Sequence, residues 1–253
     1  MYVTYLHECG FKTSTIKTHL SAISFVHQVL NLKNPTRTFV IQKILNRYSK
    51  LDSPPAVRNP ISAKLLKRLV CSVKSSVHHR YTKVLLISLF TLMYHGVLRC
   101  SEICYSAITS HTLQYNQIYL VHHHSKPALK IKFTSYKHSG QKITPLLICS
   151  TFDHICPVKA FIKYQALRGT HEGPLFCDQY RNPISRQQLL SYMHHHLSLV
   201  GCNASNFNTH SFRIGRTTDL AAQGYTHMEI KNIGRWKSDA YLCYIKPDFI
   251  TSA

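Results

Sequence analysis

A histidine and an arginine three positions apart form the part of this sequence that is best suited to chemistry. His210 and Arg213 lie within the segment THSFRIGR at residues 209–216. On a helix, both side chains project from one face and can reach the same anionic group. An H-x-x-R pair alone is usually a solvated surface pair, so its meaning depends on the residues around it.

Two short motifs follow further along the chain. The first is IGRWKSDA at residues 233–240, and the second is Tyr-Ile-Lys at residues 244–246. Together with HSFRIG they resemble the motifs of the tyrosine recombinases, a family that includes phage integrases and recombinases of some eukaryotic mobile elements. They are most similar to the retrotransposon and Crypton branch. The resemblance extends from about Thr15 to Lys246.

The resemblance implies an activity and a partner. It implies a site-specific recombinase or integrase that cleaves and rejoins double-stranded DNA for a mobile element, with no cofactor and no small-molecule substrate. It also implies a homotetramer assembled on the DNA. Tyr244 matches the family's covalent nucleophile, and Tyr241, one helical turn earlier, is the rival candidate. The helical register from Ser238 and the Tyr-Ile-Lys context both favour Tyr244.

Further site residues are implied by the same resemblance. Arg99 matches the first catalytic arginine, and Glu102 matches the acidic residue that steadies the site. Lys137, at the tip of a predicted hairpin, matches the catalytic lysine, and Trp236 occupies the position that holds His or Trp. The alternatives are a surface ion pair for Arg99 and Glu102, an ordinary basic hairpin tip for Lys137, and a core position for the only tryptophan.

These residue types suit phosphoryl transfer. Arg99 and Arg213 can present planar guanidinium forks to the phosphate oxygens, and N–H donors of His210 and Trp236 can add to them. A tyrosine hydroxyl, whose pKa is normally about 10, needs such cations or a base to become nucleophilic. Lys137 would protonate the departing 5′ oxygen. The product would be a 3′-phosphotyrosine. Because this link keeps the bond energy, rejoining the strand requires neither ATP nor a metal.

The charge of the chain agrees with a nucleic-acid partner. Its 253 residues contain 31 Lys and Arg against 10 Asp and Glu, an excess that is typical of proteins that bind a polyanion. The sequence has neither a membrane-spanning apolar run nor a signal peptide. We therefore expect a soluble, intracellular, DNA-associated protein with no membrane partner, located in the nucleus if the source is eukaryotic.

Cysteine and histidine patterns do not predict a metal site. The nine cysteines include no C-x-x-C pair, which indicates reduced, mostly buried thiols. Three consecutive histidines occur at residues 122–124 and again at residues 194–196. Consecutive side chains cannot all point at one ion, so these histidines are expected to face DNA phosphates or solvent.

The elements that must position these residues are mainly helical, with one small sheet. Apolar residues at steps of three and four predict helices over 13–30 and around 39–48, then from Ser62 and over about 81–94. Alternating residues between Gln117 and Ile148 predict a three-stranded antiparallel meander with turns at 125–127 and 138–140. Further helices begin near 157, 185, 210, 226 and 238. The fold class is thus mainly α with a small sheet (α+β), as in a recombinase catalytic domain.

Prolines divide the chain. We predict a helical N-terminal DNA-binding domain at 1–52, a linker at 53–60 and a catalytic domain at 61–253. The N-terminal domain resembles the family's core-binding domain but is short, so the chain is expected to begin inside it. The few residues after Tyr244 put tetramer formation in question. Expected DNA contacts are the basic residues Lys12, Lys17, Lys43, Arg47, Lys50, Arg216 and Arg235.

Two other functions fit the same motifs. A protein derived from a recombinase can bind DNA without turnover, and a type IB topoisomerase uses the same chemistry to relax DNA without exchanging partners. The presence of all seven matched residues favours catalysis over binding alone.

Overall fold

The structure is a computed structural model that describes residues 2–53, 58–105, 111–134 and 144–250. The chain divides into two compact units, Met1–Ala56 and Val57–Ala253. The division falls within the proline-containing segment. Within the described residues, no helix is both long and apolar enough to cross a membrane.

The smaller unit contains three helices. These are α1 (Tyr2–Glu8), α2 (Thr13–Val29) and α3 (Phe39–Leu51), with a 3-10 turn at Pro35–Arg37 before α3. Val3, Leu6, Ile16, Leu20 and Leu45 form its core. The expectation of only two helices was wrong, because α1 has seven residues and buries only two, too few for a periodic pattern.

Side-chain caps fix the ends of α2 and α3. The Thr38 hydroxyl accepts a hydrogen bond from the Ile41 amide at the start of α3. The Asp52 carboxylate, directly after α3, accepts from the Thr13 amide at the start of α2. The α3 helix ends at Leu51, three residues beyond the predicted end near residue 48. All five predicted DNA contacts of this unit are exposed: Lys12, Lys17, Lys43, Arg47 and Lys50.

The larger unit surrounds a small sheet with helices, as predicted. In chain order these elements are α4 (Ala63–Ser76), α5 (Arg80–His95), α6 (Cys100–Ile103), β1 (Ile118–His123), β2 (Lys126–Ile131), β3 (Leu146–Cys149), α7 (Pro157–Arg168), α8 (Arg186–Leu199), α9 (Ser211–Ala222) and α10 (His227–Gly234). Buried side chains from α5 meet those of α4, α7, α9 and the sheet in one core. Ser62, Ser185 and Thr226 cap α4, α8 and α10.

The sheet is an antiparallel meander in the order β1-β2-β3. Leu129 of the central strand pairs with Leu120 on one side and Ile148 on the other. The first turn consists of His124 and Ser125, which both have positive φ, whereas the prediction placed it at 125–127. The proline at 127 suggested a turn but lies within β2. The turn at 138–140 lies outside the described residues.

The C-terminal segment differs from the predicted α-helix. Residues Asp239–Tyr244 form a 3-10 helix, and another short one follows at Pro247–Phe249. The Ser238 hydroxyl accepts a hydrogen bond from the Ala240 amide, which starts the turn. Because a 3-10 helix has three residues per turn, Tyr241 and Tyr244 lie one full turn apart.

Candidate active site

A cleft of about 900 Å³ in the larger unit collects most of the predicted site residues. They come from the start of α6, the start of α9, the end of α10 and the 3-10 helix Asp239–Tyr244. The predicted residues that line it are Arg99, His210, Arg213, Arg235, Trp236 and Tyr244. Glu102 lies beneath the cleft with its side chain 1% exposed. Lys137 lies outside the described residues.

Backbone contacts fix the position of α9, which carries Arg213. The Ile61 amide donates to the Ser211 carbonyl, and the Ala63 amide donates to the carboxylate of Asp219. A Cβ at Gly215 would lie 1.8 Å from the Ile61 carbonyl oxygen. Glycine at position 215 therefore allows α9 to pack directly against the backbone of Ile61, just before α4. This contact explains why a glycine lies two residues after Arg213.

Arg213 is a buried cation with few partners. It is 1% exposed, and its Nη1 donates to the Val97 carbonyl. Its Nε has no hydrogen-bond partner among the described residues. Burial first, and then the charges of Arg99 and Arg235, lower the pKa of Arg213 to about 9. A buried guanidinium that is destabilised by other cations favours an incoming anion.

The Glu102 carboxylate forms ion pairs with two arginines of the cleft, Arg99 and Arg235. This carboxylate accepts from Arg99 at 3.0 Å and from Arg235 at 2.7 Å. It also accepts from the Arg99 backbone amide at 2.8 Å, which caps α6. The Arg99 side chain remains 16% exposed at the cleft. The ion pair predicted as an alternative is thus present, but it is buried rather than at the surface.

Trp236 packs over the arginine at the bottom of the cleft. Arg235 adopts a left-handed conformation with φ 56°, which ends α10 and redirects the chain. A Cβ at Gly234 would lie 1.5 Å from the indole ring, so glycine makes room for the tryptophan. The Arg213 guanidinium lies 4.6 Å from the centroid of the Trp236 ring, an arrangement that is typical of a cation–π contact.

The two candidate tyrosines have different surroundings. Tyr244 lines the cleft, and its ring centroid lies 5.5 Å from Trp236, 6.2 Å from His210 and 5.5 Å from the Arg213 guanidinium carbon. Tyr241 is fully buried, and its hydroxyl is hydrogen-bonded to Nδ1 of His227. Of the two tyrosines, only Tyr244 lines the cleft, so access to a phosphate favours Tyr244 over Tyr241 as the nucleophile.

His210 is placed to work as a neutral imidazole. It precedes α9 with helical backbone angles, and its amide donates to Oδ1 of Asn208. Burial lowers the pKa of His210, and the charge of Arg213 lowers it further, as do Arg58, Arg186 and Arg99. Because its pKa is lowered, the imidazole is unprotonated at neutral pH, and its free ring nitrogen is available to accept a proton from a reacting group.

Sequence reasoning missed three cations beside this site, Arg58, Arg186 and Lys237. Arg186, the first residue of α8, lines the cleft, and both it and Arg58 contribute positive charge at His210. Both are exposed. Arg186 directly follows the Ser185 cap, but no motif distinguished it from other surface arginines.

Two predicted DNA contacts turn inward instead. Arg235 has a side chain 5% exposed and donates to the Gly96 carbonyl as well as to Glu102. The Arg216 guanidinium lies 5.4 Å from the Tyr94 ring and faces His95. The Arg235 guanidinium is held by hydrogen bonds to protein acceptors, so the structure does not favour a direct phosphate contact for it, whereas the Arg216 Nε has no hydrogen-bond partner among the described residues.

Within the described ranges, no group of three or more His, Cys, Asp and Glu side chains is arranged to hold a metal ion. Histidines 194 and 196 point to different partners, the Phe207 carbonyl and the Ser72 hydroxyl. The expectation that this run faces DNA or solvent was wrong for His196, which is 1% exposed. Side chains two positions apart on a helix point in nearly opposite directions, so one of these histidines joins the core.

The model of the phage integrase family matches residues 61–245, which include every described residue of the cleft. The chain belongs to the phage integrase family. No curated protein matches the sequence.

Several solved structures of recombinases and integrases share the fold. The XerA recombinase is 14% identical, with a TM-score of 0.56 over 99% of this chain and 78% of its own. The Tn1549 transposon integrase, in complex with transposon right end DNA, is 16% identical, with a TM-score of 0.62 over 97% and 78%. The XerH site-specific recombinase, bound to palindromic difH substrate, is 12% identical, with a TM-score of 0.55. The match covers 79% of this chain and 53% of the XerH chain, so it spans about half of the length of that relative.

Proposed function

We propose that this protein cleaves and rejoins double-stranded DNA as a site-specific recombinase or integrase, with Tyr244 as the covalent nucleophile. The observation that carries the proposal is the position of Tyr244, whose ring lies against His210, Trp236 and the buried guanidinium of Arg213. Membership of the phage integrase family supports the same reaction.

The reaction can be derived from the cleft. Arg213 and Arg99 hold the non-bridging oxygens of one phosphodiester, and the Trp236 N–H adds a donor as negative charge develops. The Tyr244 oxygen attacks phosphorus while neutral His210 accepts the phenolic proton. The bond to the 5′ oxygen breaks, which leaves a 3′-phosphotyrosine. Attack by a 5′ hydroxyl reverses these steps and rejoins the strand.

Lys137 is proposed as the general acid that protonates the departing 5′ oxygen. This role rests on its match to the family's lysine within the basic hairpin, not on geometry. The cleft needs no metal for charge neutralisation in this scheme, since three guanidinium groups surround Glu102 and the phosphate position. We propose that the reaction proceeds without a cofactor.

The biological setting is a further part of this proposal. The motifs HSFRIG, GRWKSDA and Tyr-Ile-Lys resemble those of retrotransposon and Crypton elements, which supports a mobile-element recombinase, nuclear in a eukaryotic source. The DNA complexes of XerH and the Tn1549 integrase support double-stranded DNA as the partner. Residues 1–52 would act as a core-binding domain, 53–60 as a linker and 61–253 as the catalytic domain. A homotetramer on DNA would complete strand exchange.

A nicked suicide duplex carrying the terminal sequence of the protein's own element tests the proposal. We expect a denaturant-resistant protein–DNA adduct that Tyr244→Phe abolishes. Tyr241→Phe is the matched control, because it removes only the hydrogen bond to His227 and should retain adduct formation. An adduct that persists in Tyr244→Phe but is lost in Tyr241→Phe would contradict the assignment.

The same purified protein, assayed on the suicide duplex and on a supercoiled plasmid, separates the alternative functions. DNA binding without any adduct would indicate a dormant DNA-binding protein. Relaxation of a supercoiled plasmid without recombinant products would indicate a topoisomerase-like outcome. Both can be read on one gel series with purified protein, so neither depends on a cellular assay.

A further inference from the structure

Three of the nine cysteines lie in the active-site cleft, and the proposed mechanism uses none of them. They are Cys100, Cys104 and Cys243. Only three cysteines of the chain are buried, so the expectation of mostly buried thiols was wrong. A partly exposed thiol among arginines lies in the kind of setting that stabilises a reactive thiolate.

Cys100 and Cys104 stand at the two ends of α6. Cys100 is its first residue, directly after Arg99, and Cys104 ends it one turn later. The Cys104 amide donates to the Cys100 carbonyl at 2.7 Å, which keeps the turn closed. Cys100 is partly exposed, whereas Cys104 is 2% exposed. The pair therefore has one accessible sulfur and one protected sulfur.

The two thiols shift each other's pKa in opposite directions. A hydrogen bond from the Cys104 thiol lowers the pKa of Cys100 to about 7, against the opposing effect of burial, and the Thr209 hydroxyl and the charge of Arg186 act in the same direction. The same contact raises the pKa of Cys104, as does burial. Such an arrangement makes Cys100 the attacking sulfur and leaves Cys104 as the resolving thiol.

We propose that Cys100 and Cys104 form an oxidation site, a thiol pair that a peroxide converts into a reversible disulfide and that thereby switches DNA cleavage off. The effect on cleavage rests on the proposed function, whereas the thiol chemistry does not. The Cys100 thiolate attacks one peroxide oxygen, so an S–O bond forms, the O–O bond breaks and hydroxide leaves. The Cys104 sulfur then attacks the sulfenic acid, forms the S–S bond and releases water.

Geometry explains why the disulfide would stop cleavage. Residues four apart on a helix have Cβ atoms about 5–6 Å apart, whereas a disulfide needs about 3.5–4.5 Å. The ends of α6 must therefore move together when the bond forms. Glu102 lies between them and holds both Arg99 and Arg235. The oxidised pair would displace the carboxylate that positions Arg99, the partly exposed arginine of the proposed mechanism.

Peptide mass spectrometry tests the thiol pair without DNA. Trypsin cuts after Arg99 and Lys130, and the peptide between them contains no cysteine besides this pair. We expect hydrogen peroxide to remove two hydrogens from this peptide, in wild type and in the exposed-cysteine control Cys71→Ser alike. In Cys104→Ser, Cys100 should instead be trapped by dimedone as a sulfenic acid. Two free thiols after treatment, or a Cys100–Cys243 crosslink, would overturn the proposal.

The activity arm uses the suicide duplex. Oxidised wild type should lose adduct formation and regain it with dithiothreitol, whereas Cys100→Ser should resist the oxidant. Cys100→Ala should resist the oxidant in the same way, and the circular dichroism spectra of both variants should match that of wild type, which would exclude a folding defect. Oxidised protein that cleaves as fast as reduced protein would overturn the switch. Disulfide formation in a chain that cleaves no DNA in either state would uphold the thiol pair and count against the proposed function alone.

Discussion

Glu102 accepts a hydrogen bond of 2.7 Å from Nη2 of Arg235, across more than half of the sequence of the larger unit. The pair is almost fully buried, and the same carboxylate also holds Arg99. One negative charge thus compensates a cluster of guanidinium groups that includes Arg213. The cluster remains short of negative charge, which is the condition a phosphate would relieve.

Glu102→Gln should destabilise the protein strongly. The amide keeps the shape but removes the charge, and breaking a buried pair in this way typically costs about 3–5 kcal/mol. Urea unfolding should show this loss, and sulfate or phosphate should restore part of it by binding the uncovered arginines. Glu229→Gln, in an exposed capping box, is the control and should leave the free energy of unfolding nearly unchanged, because a glutamine can also complete the capping box. Equal stability of Glu102→Gln and wild type would contradict the charge-balancing role.

Arg213→Lys should separate binding from cleavage. Lysine keeps one positive charge but cannot hold two phosphate oxygens with a planar fork. The loss of one such preorganised donor typically slows catalysis about 10²–10³-fold. We expect adduct formation to fall by that factor while duplex affinity in a gel-shift assay changes little. Arg80→Lys, exposed at the start of α5, should leave both unchanged. A matching loss in both variants would argue against a specific role.

Much of the site was predictable because its residues are close in sequence. The segments 209–216 and 233–246 hold five of the six predicted residues that line the cleft, and the caps Ser185 and Thr226 marked the helices around them. The sequence also preferred Tyr244 to Tyr241, but it did so partly from an α-helical register after Ser238, whereas this segment is a 3-10 helix. Residues whose role depends on short motifs and capping patterns can be identified from the sequence alone.

Contacts between distant segments were not predictable. Nothing in the sequence pairs Glu102 with Arg235 rather than with Arg99 alone, because the pairing depends on how α6 and α10 meet. The inward turn of Arg216 towards Tyr94 has the same origin. The His124–Ser125 turn lacks the Asn-Gly or Asp-Gly that usually marks such hairpins. In each case tertiary packing, not local preference, decided the outcome.

Cleavage should depend on neutral His210. Burial and nearby arginines lower its pKa below the ordinary value of 6.5, so the imidazole stays unprotonated at pH 7 and becomes cationic only in more acidic solution. The rate of adduct formation should therefore be level above neutrality and fall only at pH values below 6.5, the ordinary pKa of an imidazole. His210→Gln should be about 10²–10⁴-fold slower and should lose this acid limb. An unchanged acid limb in the variant would assign it to another group.

His95 should make folding stability depend on pH. Burial lowers its pKa to about 4 from 6.5, and Arg216 acts in the same direction. Between these values the unfolded chain binds a proton that the folded protein excludes, so stability is lost as pH falls from 6.5 towards 4, by up to about 3 kcal/mol. His95→Gln should flatten this dependence in urea titrations, and exposed His78→Gln should not. Parallel slopes for all three proteins would contradict the prediction.

Arg186→Gln should weaken DNA binding in a salt-dependent way. Its exposed guanidinium lies at the cleft and adds positive charge at His210, where a duplex held by Tyr244 would bring neighbouring phosphates. Loss of one phosphate contact should reduce the slope of log affinity against log salt by about 1. Arg181→Gln, also exposed but outside this cleft, is the matched control. If both variants change the slope equally, Arg186 acts through net charge alone; a change confined to Arg186→Gln would place a DNA phosphate beside α8.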